Sequence, residues 1–338
     1  MLMIHSYPIA VLLCVLTMAC WGSWANTQKL AARSWRFELF YWDFIAGLLL
    51  TSLIYAFTLG STGQDGRTFL ADLAQADVSS IAWAMFGGAV WNAGNLLLVA
   101  AIAVAGMAIG FPIGGGIAWV LGILVNFVLV IMEGGINPGN STLLFVGVAF
   151  IVVAIGMSMV AYKQLASAVK QGGTKGILLS VAAGLFIAFF YGLVVKSSDP
   201  AFVTGGSGKL MPLTAAFFFT LGAFVTTFLF NPFFMRKPVE GAPVSFADYF
   251  KGSVSTHLTG VLGGAIWATG ITASFIAVGT AGPAVSYALS NAAPVVAILW
   301  GVLVWREFEA APRRVNVQLA GMFLCFLVGL VLITYSRV

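Results

Sequence analysis

Charge is what this sequence has least of. Of 338 residues only 8% are Asp, Glu, Lys or Arg, while 60% are hydrophobic. Mean hydropathy is +1.01. A soluble domain carries about a quarter charged residues to cover its surface, so a water-facing globule is excluded and lipid is the main solvent. Cysteine is scarce too. Cys14, Cys20 and Cys325 lie in apolar runs without metal-ligand spacing and read as small buried side chains. HExxH, CxxC and clustered His/carboxylate patterns are missing, so nothing points to membrane enzymology, a metal or a cofactor. The absence of a GxxxxGK[ST] loop argues against direct ATP driving. Net charge is +5, but the 16 basic residues are scattered singly, which excludes nucleic acid as a partner.

What the chain has is apolar length. Runs near 8–29, 38–60, 80–104, 107–131, 142–161, 177–195, 213–235, 254–278, 282–304 and 317–335 each approach the roughly 20 residues of a transmembrane helix. No basic residue precedes the first run, which continues into WGSWANTQK, so it reads as a retained span rather than a cleaved signal. The expected fold is an all-α integral membrane protein of about ten helices. The lipid bilayer is its first partner.

The stretch GGAVWNAGN (87–95) is unusually polar and glycine-rich for such a run, and GGAIWATG (263–270) repeats its pattern 176 positions later. The offset holds through Trp91/Trp267, Gly94/Gly270 and Ala105-Gly106/Ala281-Gly282, and a weaker echo relates WANTQK (24–29) to YGLVVK (191–196). Two five-helix repeats are expected, 1–162 and 177–338, joined by a short cytoplasmic linker, 163–176. An odd number of spans inverts the second repeat, the plan of secondary transporters with midplane sites. Twelve of the 16 basic residues follow odd-numbered spans. That places those loops in the cytoplasm and both termini outside a cell membrane, with a bacterial inner membrane as the expected location.

Trp91 and Asn95 share a helix face, and Trp267 stands at the matching place in the other half. Asn92, Asn126, Tyr287 and Asn291 add hydrogen-bonding groups, and Trp24 of the first span joins the candidate set. Flat walls and paired amides suit a small, neutral, polar solute; interhelical amide bonding is the competing role for each asparagine. Glycines 106, 110 and 114 with Pro112 either line a cavity or kink a helix. Asp43 is a costly intramembrane carboxylate and the candidate proton carrier, with Lys29 as its expected partner; the alternative is an interfacial Asp near a helix N-terminus. His257, Glu38, Glu133 and Glu307 read as interfacial residues.

These features together resemble the drug/metabolite transporter superfamily, and within it the ureide permease family. Sugar-transporting relatives, the glucose/ribose porters and rhamnose–proton symporters, share the plan. The resemblance runs through Gly22, Trp24 and Lys29, then Tyr41-x-Asp43, Gly87-Gly88 and Gly94-Asn95, then Gly106. It ends in Ala293-Pro294, Trp300-Gly301, Glu307 and Arg313-Arg314. It implies proton-coupled import of a ureide, nucleobase or monosaccharide, and strengthens Asp43 and Asn95 as site residues. Two features depart from the family pattern: a short linker between spans five and six, and Trp91-Asn92 in place of small or aliphatic residues. An exporter of amphipathic drugs on the same fold and a non-transporting membrane scaffold or enzyme subunit are the alternatives. Spans five and ten, almost without polar side chains, are expected to serve as scaffold or homodimer contact.

Overall fold

A computed structural model describes residues 1–31, 35–62, 65–105, 107–132, 140–165, 173–199, 207–306, 308–309 and 311–336. Arg33, Gly106, Glu133, Lys170, Glu307 and Arg337 lie outside the described residues, as does the side chain of Pro112. The described residues are almost entirely helical. Helices suit this composition because each satisfies its own backbone hydrogen bonds without water.

In chain order the helices are α1 (Tyr7–Ser23), α2 (Ala25–Ala31), α3 (Phe37–Phe57), α4 (Phe69–Gln75), α5 (Val78–Ala105), α6 (Met107–Met132) and α7 (Ser141–Leu165). They continue with α8 (Gly173–Ser197), α9 (Pro212–Arg236), α10 (Phe246–Tyr249), α11 (Val254–Ala281), α12 (Pro283–Ser290), α13 (Ala293–Leu299) and α14 (Arg313–Tyr335). Among the described residues nine helices are long and apolar enough to cross a membrane, and the apolar stretch Ile113–Val128 of α6 makes a tenth element. Two expected spans are not continuous helices. The first breaks at Trp24 between α1 and α2, and the ninth divides into α12, α13 and a π-helical turn, Trp300–Val304. The expected linker 163–176 is also shorter than its assigned bounds, since α7 runs to Leu165 and α8 starts at Gly173.

Proline and glycine set several boundaries. Pro212 and Pro283 open α9 and α12, where the missing N–H costs nothing. Gly282, at φ 77°, turns the chain between α11 and α12 in a conformation that other residues resist.

The helices pack in matched pairs. Helix α5 lies along α8 and α9, and α11 lies along α1 and α3; α6 packs on α8, and α12–α13 on α1. Helices α7 and α14 pack on each other, with Gly147 and Gly329 each against the other's carbonyl oxygen. The repeated glycines explain the closeness of the inner pairs. A methyl group on Gly88 would collide with the Phe219 carbonyl of α9, and one on Gly264 with the Phe44 carbonyl of α3. At Gly94 it would strike Ile187 of α8, and at Gly270 Trp21 of α1. Each GGA motif thus lets its helix approach two neighbours at van der Waals distance. Polarity is inverted relative to a soluble protein. Asn92, Asn126, Asn231 and Thr227 are buried, while Leu50, Phe228, Leu229 and Leu324 are exposed, a surface that lipid covers.

Candidate functional site

A cavity of about 70 Å³ lies where α1, α5, α6, α8, α11 and α13 converge. Roughly 10–15 Å³ of such space holds one water, so several waters or part of a small solute fit. Its walls include four tryptophans, Trp21, Trp24, Trp91 and Trp267, with the amides of Asn95 and Asn291 and the ring of Pro294. Trp91 and Trp267 meet with ring centroids 4.2 Å apart, and Trp21 stacks on the other side of the cluster, 5.2 Å from Trp267 and 19° from parallel. Phe219 supports Trp267 at 5.8 Å and 13°. The indoles therefore hold one another in place.

Five sequence candidates line this cavity: Trp24, Trp91, Asn95, Trp267 and Asn291. Three others do not. Asn92 bonds Tyr41 at 2.8 Å and the hydroxyls of Thr226 and Thr227 at 3.0 Å, tying α5 to α3 and α9. Asn126 turns back on its own helix, donating to the Gly122 carbonyl at 2.7 Å. Tyr287 donates to the Ala118 carbonyl at 2.7 Å, while Trp119 donates to the Ala288 carbonyl at 2.9 Å. This reciprocal latch joins α6 to α12. Asn92 and Tyr287 thus tie helices together, while Asn126 bonds within α6.

Trp21 is the wall residue that sequence reasoning missed. It sits three positions before Trp24, a spacing that places both indoles on one helix face. Asn291 caps α12 where the span breaks, donating to the Tyr287 carbonyl at 3.1 Å. Irregular backbone at membrane depth is tolerated beside such a cavity or within protein. Of the glycine-rich stretch of α6, Gly115 lines the cavity and Gly114 abuts the Ser180 carbonyl of α8.

Asp43 has partners, but Lys29 is not among them. Its Oδ2 lies 2.8 Å from His257 Nδ1, and its Oδ1 accepts from the Tyr249 hydroxyl at 2.5 Å. Lys29 instead lies over the Trp305 ring, 4.3 Å from its centroid, as Lys196 does over Trp83 at 4.2 Å. The physical reason is reach: α11 packs along α3 and carries His257 to Asp43, whereas Lys29 of α2 lies over the Trp305 ring. His257 is therefore more than an interfacial histidine. Tyr249 stands outside the spans on α10, and burial, then its bond to Asp43, pushes its phenol far above the usual range, so it remains a donor. Trp35 closes over His257 edge-on at 5.3 Å.

Glu38 is likewise buried rather than interfacial. It pairs with Arg36 at 2.5 Å, and Arg36 also bonds the Glu240 and Ala242 carbonyls of the loop after α9. At the opposite end of the bundle Arg67 bridges Asp72 at 2.7 Å and Asp199 at 3.3 Å, all three buried. Arg36 thus fastens one end to the loop after α9 through carbonyls, and Arg67 fastens the other to Asp199 by an ion pair.

The ureide permease family model matches residues 40–172 and 167–336 of the chain. The chain belongs to the ureide permease family. It is a multi-pass membrane protein of a transport family. Ureide permease 1 of Arabidopsis thaliana is 27% identical over 99% of both chains, and ureide permease 2 of the same plant 25% identical over 97% and 96%. A probable ureide permease A3 from Vigna unguiculata is 24% identical over 88% of this chain and 94% of its own. A solved crystal structure shares the permease fold at a TM-score of 0.55 and 17% identity, covering 97% of this chain and 99% of that one.

Proposed function

We propose that this permease is a proton-coupled importer of a small neutral solute, a ureide or nucleobase-like ring, held in the tryptophan-walled cavity. The observation that carries the reading is the meeting of Trp91 and Trp267 beside Asn95. Two apolar faces and an amide suit a flat solute that needs directed hydrogen bonds. Kinship with ureide permeases supplies the ureide; the small cavity weighs against bulky amphipathic drugs. Indole faces also cover the apolar side of a monosaccharide, which is the second reading.

The matched packing of α5 with α8 and α9, and of α11 with α1 and α3, supports two inverted five-helix repeats that rock about the cavity. The ionic clusters at the two ends then open in turn. Asp43 and His257, joined across α3 and α11, are the proton-coupling pair in this reading: a proton on Asp43 removes the charge that holds His257 and Tyr249, loosening that end. The loops carrying Arg36 and Lys251 face the cytoplasm, with both termini outside. Lys29, on the Trp305 face, serves that end as a cation–π anchor.

The test is thermal stabilisation of the purified protein by allantoin, uracil, monosaccharides and amphipathic drugs. A ligand at 100 times its dissociation constant stabilises by about 2.7 kcal/mol. A shift with a ureide or nucleobase, absent in Asn95→Ala, supports the reading. A shift with sugars alone favours the second reading, and one with bulky drugs alone overturns both.

A further inference from the structure

We propose that a buried chain of hydrogen bonds, running from α9 through Asn92 and Tyr41, fixes the Asn95 amide with its carbonyl oxygen offered to the cavity. Asn95 then acts as an acceptor that selects solutes bearing an N–H or O–H donor, and Tyr41 is the positioning residue behind it. This inference rests on the cavity being the solute site.

The direction of each bond follows from counting protons. Thr226 and Thr227 donate their hydroxyl protons back to the Gly222 and Ala223 carbonyls of their own helix, each at 2.8 Å. A hydroxyl has one proton, so both oxygens can now only accept. Asn92 meets them at 3.0 Å and 3.0 Å and must present its NH₂ group to them. Its Oδ1 is thereby turned to Tyr41, whose hydroxyl donates to it at 2.8 Å. The Tyr41 proton is then committed, and the phenol oxygen can only accept. Asn95 supplies that bond through Nδ2 at 3.1 Å.

The consequence falls on the other end of the Asn95 amide. Its Oδ1 has no hydrogen-bond partner among the described residues, and Asn95 lines the cavity. Flipping the amide would set its oxygen against the Tyr41 oxygen with no proton between them, an arrangement that a buried site resists. Thr227, Asn92 and Tyr41 are all buried, so water does not relieve such a clash. The repeat sharpens the asymmetry: 176 positions on from Asn92 and Asn95 stand Ala268 and Ile271. The fixed amide acceptor is therefore particular to the first half, while the second half adds the Trp267 face and the Asn291 amide to the cavity.

The test compares hydantoin with 1,3-dimethylhydantoin, whose ring N–H groups are blocked, in titrations of the purified full chain. Wild type is expected to prefer hydantoin by about tenfold or more, the cost of one unmatched buried acceptor. Tyr41→Phe frees the amide to turn, and the two ligands should then bind within about threefold of each other, each still binding. The isosteric pair Thr226→Val with Thr227→Val should do the same from the far end of the chain, and Thr226→Ser with Thr227→Ser should keep the preference. A purely steric exclusion of the methyl groups would survive all these changes. Equal binding by wild type, or a preference untouched in Tyr41→Phe or in the valine pair, overturns the inference and leaves the solute site standing. Failure of wild type to bind either ring overturns the ureide reading and this inference with it.

Discussion

Trp91 and Trp267, 176 positions apart in sequence, meet with ring centroids 4.2 Å apart and their planes tilted at 44°. Each follows a glycine pair at the same interval, and each helix is drawn in by those glycines. Such an aromatic pair adds about 0.5–1.5 kcal/mol beyond the area it buries. Because Trp267 is also clasped by Trp21 and Phe219, Trp267→Phe should keep the fold. Its binding of solute should weaken about tenfold, for a loss of roughly 1.4 kcal/mol. Titration of ligand into the folded variant checks this.

Gly88→Val and Gly264→Val should fail alike. A side chain at either site meets the carbonyl of a packed neighbour, Phe219 or Phe44, and overpacking costs about 1–3 kcal/mol or more. Gly156→Ala is the control, since its methyl would meet nothing within 4 Å. Melting temperature and elution profile in detergent should separate the two valine variants from wild type and leave Gly156→Ala beside it.

These two pairs also mark what the sequence makes legible. Spans and glycine contacts are written locally, in apolar length and in small residues at repeated intervals. The partners of Asn92 and Asp43 are not, because Thr226 lies 134 residues from Asn92 and His257 lies 214 from Asp43. Asn92 and Asn95 have the same chemistry on one helix. Only the hydroxyls of α9 decide that Asn92 ties helices together while Asn95 meets the cavity. Lys29 is the partner expected for Asp43 from the sequence, yet helix packing places it over Trp305. Trp21 was hidden for the opposite reason, as one more apolar residue in an apolar run.

Arg67→Met should be among the more destabilising single changes outside the spans. It removes the guanidinium that Asp72 and Asp199, both buried, share, and breaking such a cluster typically costs about 3–5 kcal/mol. Melting curves of variant and wild type read this directly.

The capping box of α10 carries a pH signature of its own. The Lys251 ammonium, with the Ser245 hydroxyl and N–H, holds the Asp248 carboxyl down to about 2, below its ordinary 3.8. Its contribution is therefore complete above 3.8 and lost only as pH falls through about 2. Asp248→Asn should therefore shift uptake by the same factor at every pH from about 5 to 8, well above that range. His257→Gln, in contact with Asp43, should change the shape of that profile.

The most direct measurement is uptake of radiolabelled allantoin into proteoliposomes under an inward proton gradient. Wild type, Asp43→Asn and Asn95→Ala should be compared at equal reconstituted amounts. The account predicts saturable uptake by wild type that collapses with the gradient. Asn95→Ala should lose affinity, and Asp43→Asn should still bind allantoin but no longer respond to the gradient. Wild-type uptake that ignores the gradient, or Asp43→Asn uptake that follows it as wild type does, would contradict the account.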